Sequence, residues 1–173
     1  MANFTSKTYQ MKREILTFSN KISRKLPKPE KKFIADMNYG ILASNSCLLT
    51  DIVDQLHEHS KKANSVDRLS RHLSKGTPKD ALRAYLTHIK KWCPAHPVIH
   101  IDDSDVVKPN GYKFESLGRV RDGSESTAAK NVYKKGYHVT EATVLTNSNH
   151  PVSLFSEIHS SKEKSFTSIN DIT

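Results

Sequence analysis

Over the first 93 residues apolar positions recur at intervals of three and four, the period that lines one face of an α-helix. Met11, Ile15, Phe18 and Ile22 form one such stripe. Pro27 and Pro29 are expected to end it, because proline has no amide donor and a fixed φ. Phe33, Ile34, Met37, Tyr39, Ile41 and Leu42 predict a second helix, broken or weakened at Gly40. A third stripe comprises Cys47, Leu48, Ile52, Val53 and Leu56, with Asp51 and Asp54 on its wet side and His57 and His59 near its end. Val66, Leu69 and Leu73 predict a short fourth helix, capped by Asn64 or Ser65 and stopped by Gly76. The fifth has Thr77 as its cap, Pro78 at the first helical position, Asp80 three residues after the cap, and a stripe of Leu82, Tyr85, Leu86 and Ile89.

The pattern changes at KWCPAHPVIHIDDSDVV. Val98, Ile99 and Ile101 form a short apolar run between turn signals, which predicts a buried strand. From Lys108 to about Lys135 the chain is polar and glycine-rich, the composition of a loop. Tyr137, Val139, Ala142, Val144 and Leu145 predict a second strand, NSNHP a turn, and Val152, Leu154, Phe155 and Ile158 a third strand. Residues 137–159 therefore read as a hairpin with a loop of about five residues. No helix remains to cover the second face of three such strands, so the sheet is expected to be incomplete and the chain to stop in mid-fold.

Charge divides the chain at the same place. Residues 1–100 hold 18 Lys and Arg against 8 Asp and Glu, and residues 101–173 hold 9 against 10, within a formal net charge of +9 over 173 residues. A basic front half suits a phosphate-bearing partner, and a balanced rear half suits local carboxylate chemistry. No run approaches the roughly 20 apolar residues of a spanning helix, and the N-terminus lacks an apolar run and a small-residue cleavage site. Insertion in a membrane and secretion are thus not expected, and a cytoplasmic location is. Cys47 and Cys93 are too few for a disulfide framework and fit reduced structural thiols.

Three groups of residues are candidates for chemistry. Asp102, Asp103 and Asp105 follow the VIHI strand, where carboxylates beside an apolar run are solvated, paired or bound to a hard cation such as Mg2+. Strand alternation puts Asp103 and Asp105 on one face and Asp102 on the other. Cys93, His96 and His100 are zinc-type ligands, but a structural zinc site wants four ligands in two close pairs, and no second pair is apparent. The third group is cationic: Lys25, Lys28, Lys31 and Lys32, then Arg68, Arg71 and Lys75, on short helices that would set positive charge along a DNA backbone. No helix-turn-helix pattern nominates base-reading side chains, so non-specific phosphate contact is the expectation. Phosphate-loop, nucleophile-elbow, HExxH and CxxC patterns are absent.

The stretch from Val98 to Ser160 also resembles a known family. VIHIDDSDVVKP, then KKGYHVTEATVLT, then NHPVSLFSEIHSS look like the opening of the catalytic domain of bacterial insertion-sequence transposases of the DDE type, whose core is RNase-H-like. In that family the first strand carries the first catalytic aspartate, usually followed by a hydroxyl residue, and two antiparallel strands come next. SVDRLSRHLS and TPKDALRAYLTHIKK are similar to the DNA-handling N-terminal region of such enzymes, so the resemblance covers about residues 20–165.

What the resemblance implies is an α+β chain, with a basic helical DNA-binding bundle over residues 1–93 and the first three strands of an incomplete RNase-H-like mixed sheet over residues 94–173. Asp103, which precedes Ser104, would be the first catalytic aspartate and metal ligand, with Asp102 as the alternate if the register is one off. The implied cofactor is Mg2+, used in the family as two ions held by three carboxylates during phosphoryl transfer. The implied partner is DNA at transposon ends, with a homodimer or a full-length transposase as a further partner. The family's second aspartate and its glutamate belong to later elements, and Asp122, Glu141, Glu157 and Asp171 match neither context. One aspartate cannot hold both ions, so little strand cleavage or joining is expected of this chain alone. Three readings follow: a DDE transposase fragment; a non-enzymatic DNA-binding or dimerisation module regulating a full-length transposase; or a helical protein whose lysines only keep it in solution.

Overall fold

Among the described residues, five helices followed by a four-stranded antiparallel open sheet make an α+β arrangement. The computed structural model describes residues 6–164 and Phe166; Asp171 lies outside the described residues. The chain divides into two compact units, Met1–Lys90 and Lys91–Thr173. No helix among the described residues is long and apolar enough to cross a membrane.

The helical unit comprises α1 (Ser6–Ile22), α2 (Lys28–Ser44), α3 (Leu49–Leu56), α4 (Lys62–Leu73) and α5 (Lys79–Ile89). The apolar stripes converge on a core of Ile22, Leu26, Phe33, Ile34, Ile52, Val53, Leu69 and Ala81. Two prolines expected to stop the first helix instead open the second. Pro27 is the cap of α2 and Pro29 sits in its first turn, where the missing amide would have had no helical partner anyway. Ser19 of α1 and Ser23, just past its end, are fully buried, and their hydroxyls donate to the carbonyls of Ile15 and Ser19 at 2.8 and 2.7 Å.

Gly40 does not break α2. A Cβ at this position would run into the side chain of Ile52, so the glycine is what lets α2 and α3 approach closely. Both helices end on a residue in the left-handed region, Asn45 and His57, each with φ of 51°. Cys47 and Leu48 precede α3 and are exposed. The start of α4 lies at Lys62, earlier than the Asn64 or Ser65 cap expected, which leaves Ser65 inside the helix and buried. In α5 the cap is Pro78 rather than Thr77, and the helix is rotated from its expected facing. Ala81 and Ile89 are buried while Leu82 is 47% exposed. Tyr85 meets Phe18 edge-on, ring centroids 6.5 Å apart.

The sheet unit comprises β1 (Ile99–Val107), β2 (Gly118–Arg121), β3 (Tyr133–Leu145) and β4 (Pro151–His159). β3 pairs with each of the others, always antiparallel. The described sheet is therefore four-stranded and antiparallel, where three strands of a mixed sheet were expected. The extra strand, β2, lies inside the expected loop; its four residues carry one apolar side chain, Val120, and are ordered by pairing with Tyr133–Gly136. At Gly136 a Cβ would strike the Val106 carbonyl, so this glycine allows the strands to close. The β3–β4 hairpin turns over residues 146–150, with the Thr146 amide donating to the His150 carbonyl at 3.0 Å. β1 is not the buried strand its apolar run predicts: it is an end strand of the sheet, with Ile99 and Ile101 more than half exposed.

Candidate functional site

The three aspartates sit in mid-β1 rather than beyond its end. Register sets Asp103 opposite Thr140 of β3, which in turn faces Glu157 of β4; Asp105 faces His138, which faces His159. These six residues share one sheet face, and Asp102 points to the other. The Thr140 hydroxyl donates to Asp103 Oδ1 at 2.6 Å. Asp105 is held twice, by His138 Nδ1 at 2.6 Å and by the Arg121 amide at 3.1 Å. The His138 ring stacks on Phe166, and His159 Nε2 is buried with no hydrogen-bond partner among the described residues. Among the described residues Asp102 receives only a long 3.4 Å contact from the Ser104 hydroxyl.

Mg2+ can be tested against this arrangement. Asp103 has one oxygen engaged by a neutral hydroxyl, and the described residues contain no group of three or more histidine, cysteine, aspartate or glutamate side chains that could hold a metal ion. The described residues do not fit a two-ion site. The same holds for Cys93, His96 and His100. Asp122, one of the downstream acids, serves a turn. It accepts from the Ser124 and Glu125 amides and pairs with Lys134 at 2.8 Å; hydrogen bonds from Lys134 and Ser124 hold its carboxyl down at about 2.

The cations of the helical unit fall into two kinds. Arg68 and Lys32 are committed internally. Arg68 Nη2 lies 2.8 Å from Asp36 and 3.0 Å from Glu58, while Lys32 Nζ lies 2.8 and 2.5 Å from the same two acids. The Ser65 hydroxyl donates to Glu58 at 2.6 Å. Burial alone would raise the Glu58 carboxyl, but hydrogen bonds from Lys32, Ser65 and Arg68 overcome it and bring it to about 2. Lys32 is raised although its own burial works against its charge, because Asp36 and Glu58 favour the ammonium form. Arg71 makes an exposed pair with Asp67 one helical turn earlier, at 2.8 Å.

The second kind is unpaired. Lys25 lies in the turn between α1 and α2, Lys28 opens α2 and Lys31 follows in its first turn; Lys75 lies beyond α4. Among the described residues none of these four takes part in an ion pair. Lys25, Lys28 and Lys75 are exposed and Lys31 is half-buried.

Sequence reasoning named Asp103 but missed Thr140, His138 and Asp105's second partner, because cross-strand register is not written in either strand alone. It also missed Asp36 and Glu58, whose only signal was that they are acids in a basic half. No protein-family model, curated protein or solved structure matches this chain.

Proposed function

We propose that this chain is the N-terminal part of a DDE-type transposase and that its own activity is to bind duplex DNA through the helical unit. The observation that carries the reading is the set of unpaired lysines at the α1–α2 junction, Lys25, Lys28 and Lys31, in a half of the chain with ten more cations than acids. Side chains without an internal acid keep their full charge for phosphates, and the free amides at the start of α2 add a favourable dipole. Arg68 is a weaker candidate, since releasing it means breaking its contacts with Asp36 and Glu58. Further support comes from the strand sequence: an acid-bearing first strand, with Asp103 ahead of Ser104, is paired to the first strand of an antiparallel hairpin. The alternative, a non-enzymatic regulator of a full-length transposase, shares the same lysines and differs in owing nothing to Asp103.

The test is a titration of the protein into duplex DNA at two salt concentrations, with and without Mg2+, following binding and strand nicking together. Salt-sensitive binding without nicking is expected. Replacing Lys25, Lys28 and Lys31 together with Ala should lower the slope of log affinity against log salt by about 0.9 for each phosphate contact removed. Asp103→Ala should leave binding unchanged. Unchanged affinity in the triple variant would remove the α1–α2 junction from the contact surface, and nicking that vanishes on Asp103→Ala would mean that the catalytic site is complete.

A further inference from the structure

The sheet face opposite Asp103 carries a second group of unmatched cations. In register Arg119 of β2 lies directly across from Lys135 of β3, and Arg121 lies across from Tyr133. Like charges placed opposite each other on adjacent strands repel. The ion pairs of this unit among the described residues use Lys134 and His138, so Arg119, Arg121 and Lys135 have no acid to balance them. The acids of this face, Asp102 and Glu141, oppose each other further along β3.

Exposed rings accompany these cations. Tyr133 is 48% exposed, with the Arg119 guanidinium 4.5 Å from its ring centroid. In the loop between β1 and β2, Tyr112 is 81% and Phe114 54% exposed. The same sheet face continues into a cleft of about 680 Å³, floored by Val106, Tyr137, Val139 and Ile158 and walled by Phe114. Its rim is balanced, Lys108 and Lys113 against Glu115 and Glu163. An apolar cleft with a neutral rim suits an uncharged planar ring, while the unmatched row beside it suits an anion.

We propose that this face binds single-stranded DNA, with phosphates on Arg119, Arg121 and Lys135 and bases against Tyr133, Phe114 and the cleft. Stacking on an aromatic side chain needs a base whose face is free, which a duplex does not offer. Every residue of this site belongs to the sheet unit, and none is a lysine of the helical unit.

The test uses the full chain and a fluorescently labelled oligothymidine, beside a duplex of the same length. Tyr133→Ala is expected to weaken oligothymidine binding about tenfold, the scale of one lost base stack, and Tyr133→Phe to keep it. Arg119→Ala combined with Lys135→Ala should lower the salt slope for oligothymidine by about 1.4, two phosphates at about 0.7 each. Neither sheet variant should change duplex affinity, and the Lys25, Lys28 and Lys31 triple variant should leave oligothymidine affinity within about twofold. The proposal is overturned if oligothymidine does not bind at low salt, if Tyr133→Ala and the double variant bind it as the unaltered chain does, or if the lysine triple variant abolishes its binding.

Discussion

The helical unit gathers eight buried apolar side chains into one cluster, whereas the described part of the sheet unit buries three, Leu117, Val120 and Val144, beside Asp122, Thr140, Thr146, His159 and Ser160. Burial of apolar area is non-directional and tolerates imprecise facing; buried polar groups need particular partners at particular distances. One unit is therefore held mainly by its core. The other leans on ladder hydrogen bonds and on side-chain pairs such as Thr140 with Asp103 and Lys134 with Asp122.

That contrast can be broken most directly by truncating a core residue in each unit. Leu69→Ala should lower stability by about 3 kcal/mol, through lost burial and a residual cavity. Val144→Ala, which removes less apolar volume, should lower it by about 1.5 kcal/mol. Denaturant unfolding followed by far-UV circular dichroism measures both, and an equal or larger loss from the sheet variant would refute the difference.

A smaller effect sharpens the comparison inside the helical unit, where the polar exception is Glu58. Glu58→Gln strips a charge from Arg68 and Lys32 and should destabilise by about 1–2 kcal/mol near neutrality, less than for a fully buried pair because the network is partly solvated. The pH dependence follows from the direction of the shift. Glu58 holds its proton more weakly when folded, at about 2, than at its ordinary 4.5. Its contribution is therefore complete above pH 4.5 and is lost as the pH falls from there toward 2. Acid titration of the unaltered chain should lose helical signal across that window, and Glu58→Gln should flatten the loss; an identical acid limb would show that the network adds nothing.

The smallest effect belongs to Asp122. It too is depressed to about 2, from an ordinary 3.8, so its contribution is present above 3.8 and fades below. Asp122→Asn should move the acid limb of the sheet unit only slightly, because Asn keeps the turn-forming oxygen and Lys134 keeps Glu125 as an acid partner. Amide exchange at Ser124 and Glu125 reads it locally; exchange rising at these two amides as steeply as after a core truncation would contradict the modest role.

The same contrast explains what the sequence made legible. All five helices could be read from apolar spacing, since Phe33, Ile52 and Leu69 each mark a face whatever they pack against. Their ends were harder, because Pro27, Pro29 and Pro78 suit the start of a helix as well as the stop of the one before, and Gly40 was read as a weakness when its role is set by Ile52 of another helix. In the sheet unit the β3–β4 hairpin was visible from alternation and the NSNHP turn. β2 was not, since Arg-Val-Arg has no apolar periodicity of its own. The site was legible as residue types, three aspartates and a run of lysines, but not as pairs. Nothing in the local sequence says that Arg68 faces Glu58 while Lys28 faces water.

β1 is an end strand whose apolar residues, Ile99 and Ile101, are largely exposed. Such an edge is a template on which another chain can add a strand. Two copies pairing there antiparallel would bring the aspartates of both β1 strands together, and the repulsion among Asp102, Asp103 and Asp105 would oppose such pairing. These carboxylates thus bear on the colloidal behaviour of the chain. Stripping all three at once would alter how the protein behaves at high concentration, so effects of that change on any activity would mix two origins that a single substitution at Asp103 keeps apart.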